Sequence, residues 1–105
     1  MGSDLELEFD HAMMGIYERA LSEARYKASK YFHMLHEHRG LGTARLLINS
    51  SRVSDGYTAL WKLGRLDLTV EALICENQKW HELFTTRELG ICRKRLLDYG
   101  YEKVR

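Results

Sequence analysis

With 105 residues, 45% of them apolar and 30% charged, the chain has the length of one domain and enough apolar residues for one core, which excludes a disordered chain. Its longest apolar runs, such as Ala12 to Gly15 and Ala72 to Cys75, are too short to span a bilayer. Sixteen Lys and Arg against 15 Asp and Glu is not the wholesale basic balance of a dedicated nucleic-acid binder.

No basic stretch followed by an apolar run opens the chain, so no secretory signal is expected and the cytoplasm is the expected location. Met1-Gly2-Ser3 has the look of a cloning remnant. Residues 1–8 are read as a tail and 9–105 as one domain. From Phe9 to about Arg39 only Gly15 interrupts a helical pattern. Phe9, Met13, Ile16, Ala20, Ala24, Ala28, Tyr31 and Leu35 recur at steps of three and four, the period of one helical face. Asp10 is a candidate N-cap, and Gly40-Leu41-Gly42 is expected to stop this long first helix.

Thr43 then caps a short helix from Ala44 to about Asn49. A polar turn follows, and Ser54 caps a helix that buries Tyr57, Leu60 and Trp61 and ends near Gly64. Asp67 is expected to cap a fourth helix reaching Glu76, with Val70, Leu73 and Ile74 inward. Asn77-Gln78-Lys79 reads as a break before a single turn at Trp80 to Phe84. Thr85 and Glu88 form a capping box for the last helix, which carries the stripe Leu89, Cys92, Leu96 and Tyr99 and ends at Gly100. No alternating strand pattern of useful length occurs. The expected fold is all-α: a single compact domain of about five helices, with the long N-terminal helix as its spine.

Few residue patterns point to chemistry. His33 and His36 stand at i, i+3 and could share a metal, but His38 points elsewhere and no second His/Cys cluster stands at ligand spacing; surface histidines near a helix C-terminus is the preferred reading, with no metal. Cys75 and Cys92 are read as buried thiols rather than a disulfide or redox pair. Ser50, Ser51 and Ser54 lack a nucleophile-elbow context, and Gly40-Leu41-Gly42 lacks the third glycine and the preceding strand of a dinucleotide loop. No catalytic residue and no cofactor site is assigned.

Charge is unevenly spread: residues 1–10 are acidic, 39–65 basic, 66–86 acidic and 87–105 basic, an alternation suited to a surface that meets another protein. Six Tyr, two Trp and four Met offer the side chains that interfaces favour. Tyr26, Met34, Trp80 and Tyr101 fit poorly on the helical stripes. Core or rim packing explains each separately, and an interaction surface explains them together. The alternative is a nucleic-acid-binding helix-turn-helix, with helices near 43–49 and 54–64. There Thr58 and Lys62 would enter a groove while Arg45, Arg52 and Arg65 meet phosphates. Against it, Tyr57, Leu60, Trp61 and Leu63 occupy much of the second helix.

Met13-Met14-Gly15-Ile16-Tyr17 with Tyr31-Phe32, then Gly42-Thr43-Ala44-Arg45-Leu46, Asp55 to Trp61 and Gly64 to Leu73, together with Leu83-Phe84-Thr85 and Arg95-Leu96, resemble a group of uncharacterised bacterial proteins. In that group the segment occurs alone or appended to larger chains, some linked to restriction or mobile-element functions. The resemblance spans about residues 9–101, and the Gly-Arg-Leu-Asp-Leu-Thr-Val-Glu run beginning at Gly64 is its most specific part. It implies a bacterial source and an accessory role, and it carries no catalytic residue across. The expectation is a non-enzymatic accessory or regulatory module that binds another protein or itself.

Overall fold

The computed structural model describes residues 2–104, with side chains from 4–103. Five α-helices follow one another: α1 (Gly2–Ala24), α2 (Ser29–Ile48), α3 (Asp55–Lys62), α4 (Val70–Cys75) and α5 (Thr86–Asp98). Short 3-10 turns at Leu66–Leu68, Gln78–Leu83 and Glu102–Val104 connect or end them. The architecture is all-α, as the sequence pattern implies. Among the described residues no helix is long and apolar enough to cross a membrane.

The spine differs from the single helix expected over 9–39. The chain reverses at Arg25–Ala28, and α2 runs antiparallel to α1: Tyr17 stacks on Phe32, the Tyr31 hydroxyl donates to the Met13 carbonyl, and Asp10 meets Arg39 and Gly40. Arg25 takes the left-handed conformation at φ 54° that such a reversal requires. No glycine or proline marks the turn, and the apolar period runs through it unbroken, because Phe9, Met13 and Ile16 on one helix face the same core as Tyr31 and Leu35 on the other. Residues 2–8 are not a tail either. Helix α1 begins at Gly2, and Leu5 packs against the core; Met1 lies outside the described residues.

Gly40-Leu41-Gly42 does not stop a helix. It follows a kink at Arg39 (φ 63°, ψ −172°), after which α2 resumes to Ile48. Asp10 is the reason. It sits inside α1 rather than at its start, and it caps the second half of α2 from across the hairpin: one carboxylate oxygen accepts from the Gly40 amide at 2.7 Å, the other from Arg39 Nη2 at 2.6 Å and Nε at 3.1 Å. Thr43, expected to cap a separate helix, is instead fully buried within α2, and its hydroxyl has no hydrogen-bond partner among the described residues.

The remaining caps follow ordinary chemistry. Ser54 Oγ accepts from the Tyr57 amide to start α3, and Thr85 with Glu88 forms the reciprocal capping box of α5. Thr69, not Asp67, caps α4: its hydroxyl accepts from the Ala72 amide, whereas Asp67 pairs with Arg65 one turn earlier. Gly64 (φ 71°) and Gly100 (φ 84°) close α3 and α5 by the same two-bond motif, in which the glycine and the residue after it return amides to carbonyls of the last turn.

The principal core lies between the hairpin and α4, α5 and the Gln78–Leu83 turn. Phe9 holds its centre, with Trp80 and Phe84 edge-on at 5.2 and 5.6 Å. Trp80 is thus core, not interaction surface, and Trp61, expected inside, is 44% exposed and edge-on to Tyr99. The Cys92 thiol is buried and Cys75 half-buried beside it. Helix α3 joins through smaller clusters, Leu60 with Ala20 and Leu68, and Tyr57 with Leu66, Ala72 and Leu96. Arg65 bonds Glu23 at 2.6 Å and Asp67 at 3.0 Å, tying the end of α1 to the turn after α3. Arg19 and Arg65 together hold the Glu23 carboxyl down to about 2.

A Cβ at Gly40 would lie 2.8 Å from the Asp10 carboxylate and 3.0 Å from its Cα. Gly40→Ala is therefore expected to cost about 1–3 kcal/mol, and Asp10→Ala about 1–2 kcal/mol through the lost cap. Gly90→Ala, with open space around it inside α5, should stabilise by about 0.5–1 kcal/mol. Urea midpoints of the three variants check this. Unchanged midpoints for the first two would mean that the kink is not held by Asp10.

Candidate functional site

The kink brings both halves of α2 to the border of one concavity. In a straight helix Lys30 and Leu46 would stand about 24 Å apart. Here residues from both halves of α2, namely Lys30, Tyr31 and Met34 before the kink and Leu46 and Leu47 after it, border one open cleft of about 470 Å³. Ile16, Tyr17 and Ala20 of α1 form a second wall, and Val53, Tyr57 and Leu60 a third. Tyr26 and Ala28 close one end from the hairpin turn, and Leu68 to Glu71 reach it from below. The volume falls within the range of ligand and anchor pockets, roughly 300–1,000 Å³.

The floor is held by one ion pair. Glu71 is 4% exposed, and its carboxylate accepts from Arg95 Nη1 at 3.0 Å. The same guanidinium donates to the Leu47 carbonyl at 3.1 Å and the Ser50 carbonyl at 2.7 Å, so one side chain of α5 fixes α4, the end of α2 and the following turn. The Tyr57 hydroxyl closes the arrangement by donating to the Arg95 carbonyl at 2.9 Å. Burial pushes the Glu71 carboxyl above its ordinary range, opposed by its own backbone amide and by Arg95. Burial, with the Glu71 charge adding to it, also raises the Tyr31 and Tyr57 hydroxyls, which stay neutral donors at physiological pH.

Some other polar groups of the wall are committed as well. Tyr31 donates to the Met13 carbonyl, Ser54 accepts from the Tyr57 amide, and the Thr69 hydroxyl donates to the Leu66 carbonyl and accepts from Ala72. What the cleft offers a visitor is apolar surface and a charged mouth. Among the described residues no serine of its lining hydrogen-bonds to a His or carboxylate side chain.

The residues singled out from the sequence are distributed unevenly. Tyr26 and Met34 come together in the cleft. Tyr101 lies against another cluster and donates to Glu76 at 2.6 Å, and Trp80 is in the core. Of the basic set, Arg52 stands at the cleft mouth and Lys62 is exposed at the end of α3. Arg45 is drawn to the Leu83 carbonyl and Glu88, and Arg65 to Glu23 and Asp67. Thr58 is half-buried on α3. His36 packs edge-on against Phe32, and His38 lies 3.6 Å from Glu37. Among the described residues no group of three His, Cys, Asp or Glu side chains could hold a metal ion.

Glu71, Arg95 and Lys30 escape sequence reasoning. The signal for Glu71 is a carboxylate inside the apolar run Leu68-Thr69-Val70-Glu71-Ala72-Leu73-Ile74, a position that burial tolerates only with a cation supplied from elsewhere. Comparison with protein-family models, curated proteins and solved structures finds no match to this chain.

Removing Arg95 leaves Glu71 buried without its cation, so Arg95→Met is expected to lose about 3–5 kcal/mol near neutral pH. A carboxyl raised in the folded state favours folding below its ordinary range, and that contribution is lost as pH rises through the folded value. Without Arg95 the rise is larger. The deficit of the variant should therefore shrink on acidification toward about pH 4, as read from urea unfolding at several pH values. A deficit independent of pH would place the role of Arg95 in its carbonyl contacts alone.

Proposed function

We propose that this chain is a non-enzymatic binding module that takes a segment of another protein into the cleft. The observation that carries the reading is an open, mainly apolar cleft, lined by Tyr26 and Met34 among others, whose buried polar groups Tyr31, Tyr57 and Glu71 are held by internal hydrogen bonds. Such a surface gains by covering apolar area and excluding water. The accessory role implied by the resemblance agrees with this reading. The nucleic-acid alternative is weakened because two of its cations, Arg45 and Arg65, already have carboxylate partners.

Leu46 lines the cleft and is half exposed, so Leu46→Glu changes its character with little cost to folding. Met34→Glu, at a partly buried site, places a charge on the facing half of α2. Leu63, 51% exposed and outside the cleft lining, is the control. A partner retained by the wild-type protein should be released by both cleft variants and kept by Leu63→Glu. Loss with Leu63→Glu alone would move the interface off the cleft. A wild-type dimer in sedimentation equilibrium that dissociates in Leu46→Glu would make the partner a second copy.

A further inference from the structure

The charges around the cleft say what kind of segment fits it. Elsewhere on the molecule Arg19 pairs with Glu23, Arg39 with Asp10, Arg45 with Glu88, Lys79 with Glu8 and Lys94 with Asp98, while Lys62 and Arg93 have no ion-pair partner among the described residues. Around the cleft four unmatched cations gather. Lys30 and Arg52 line its mouth, and Arg25 and Lys27 flank the lining residue Tyr26. All four are exposed and have no ion-pair partner among the described residues. The facing carboxylates do not balance them, because Glu71 is buried against Arg95 and Asp55 alone stands at the rim.

Local structure does not account for this placement. Lys30 lies in the first turn of α2, where a positive charge opposes the helix dipole and where no acidic residue and no side-chain cap stands. The turn that carries Arg25 and Lys27 is pinned, with the Tyr26 amide donating to the Ala20 carbonyl at 3.0 Å and its ring packed beside Leu60 and Leu68. The cations are thus held near an apolar opening.

We propose that the partner segment is an apolar stretch flanked by carboxylates, an acidic amphipathic helix whose apolar face enters the cleft while its Asp or Glu residues meet Lys30 and Arg52, with Arg25 and Lys27 adding to the field. The inference rests on the cleft being a docking site. Charge at a rim acts on selection and encounter rate and weakens with salt, whereas the apolar floor supplies contact area.

Two fluorescein-labelled 16-residue amphipathic peptides, with the same Leu/Phe face and either Glu or Lys at every polar position, are titrated with the full chain and read by anisotropy. The Glu peptide is expected to bind at least about tenfold more tightly at low salt, with the gap narrowing as salt rises. The charge-reversed Lys30→Glu/Arg52→Glu variant, whose sites are exposed, should invert the preference, and Leu46→Glu should weaken both peptides. Equal binding of the two peptides, lost in Leu46→Glu, overturns the charge selection and leaves the docking site standing. Binding of the Glu peptide that Leu46→Glu leaves unchanged overturns the docking site. If neither peptide binds while decanoate protects the protein against thermal unfolding, the cleft takes small amphiphiles, and both readings fall.

Discussion

The carboxylate of Asp10 is the constraint on which this structure turns. It satisfies the Gly40 amide and the Arg39 guanidinium together, and so starts the second half of α2 from a residue thirty positions earlier in the chain. Arg39 sits in a backbone region that is essentially reserved for glycine, which costs on the order of 1–3 kcal/mol when any other residue occupies it. Such a conformation persists only where its surroundings over-determine it. Two charge-assisted bonds to the side chain and one to the next amide provide that here, and Gly40 permits the approach because it has no Cβ to hold Asp10 away. Without the kink the two halves of α2 could not share a cleft.

The fold class and most helix ends were legible because they are written locally. Ser54 and the Thr85–Glu88 pair announce α3 and α5 through side chains that bond their own first turns, and Gly64 and Gly100 announce the ends through the left-handed conformation they adopt. The hairpin was illegible for the opposite reason. A reversal at Arg25–Ala28 carries no breaker, and two antiparallel helices facing one core can share a stripe in register with a single long helix. Asp10 was recognised as a capping residue, but the helix it caps lies across the hairpin, and no local pattern reports that. Similar reasoning explains the tryptophans. Trp61 fits a helical stripe and Trp80 does not, yet only the tertiary arrangement, with Phe9 as the centre, decides that Trp80 is enclosed and Trp61 remains at the surface beside Tyr99.

The candidate site was legible only in fragments. Tyr26 and Met34 stood out because they did not fit stripes, and they belong to the cleft; Trp80 and Tyr101 stood out for the same reason and do not. A residue off the stripe is one that the simple helix does not explain. It is not thereby one that a partner contacts. The basic span 39–65 is likewise a sequence neighbourhood rather than a surface, since Arg45 reaches α5 and Arg65 reaches α1, each neutralised by carboxylates from another part of the chain. Charge read along a sequence therefore overstates the free charge of a folded domain whose ion pairs are mostly long-range.

Both ends of the second half of α2 are braced by charged side chains rather than by apolar packing alone. Asp10 holds the kink at one end of the second half of α2, and Arg95 holds Leu47 and Ser50 at the other while neutralising Glu71 beneath. Directional bonds fix a helix in position and rotation, which the non-directional hydrophobic contacts of its buried face do less strictly. A cleft fixed in this way does not have to be ordered by its occupant, so less of the gain from covering its apolar walls is lost on binding. The same bracing leaves the mouth, with Lys30 and Arg52 on exposed flexible stems, as the part of the site that can adapt. On the proposed reading, apolar walls and exposed cations at the rim would divide the work of recognition between shape and charge.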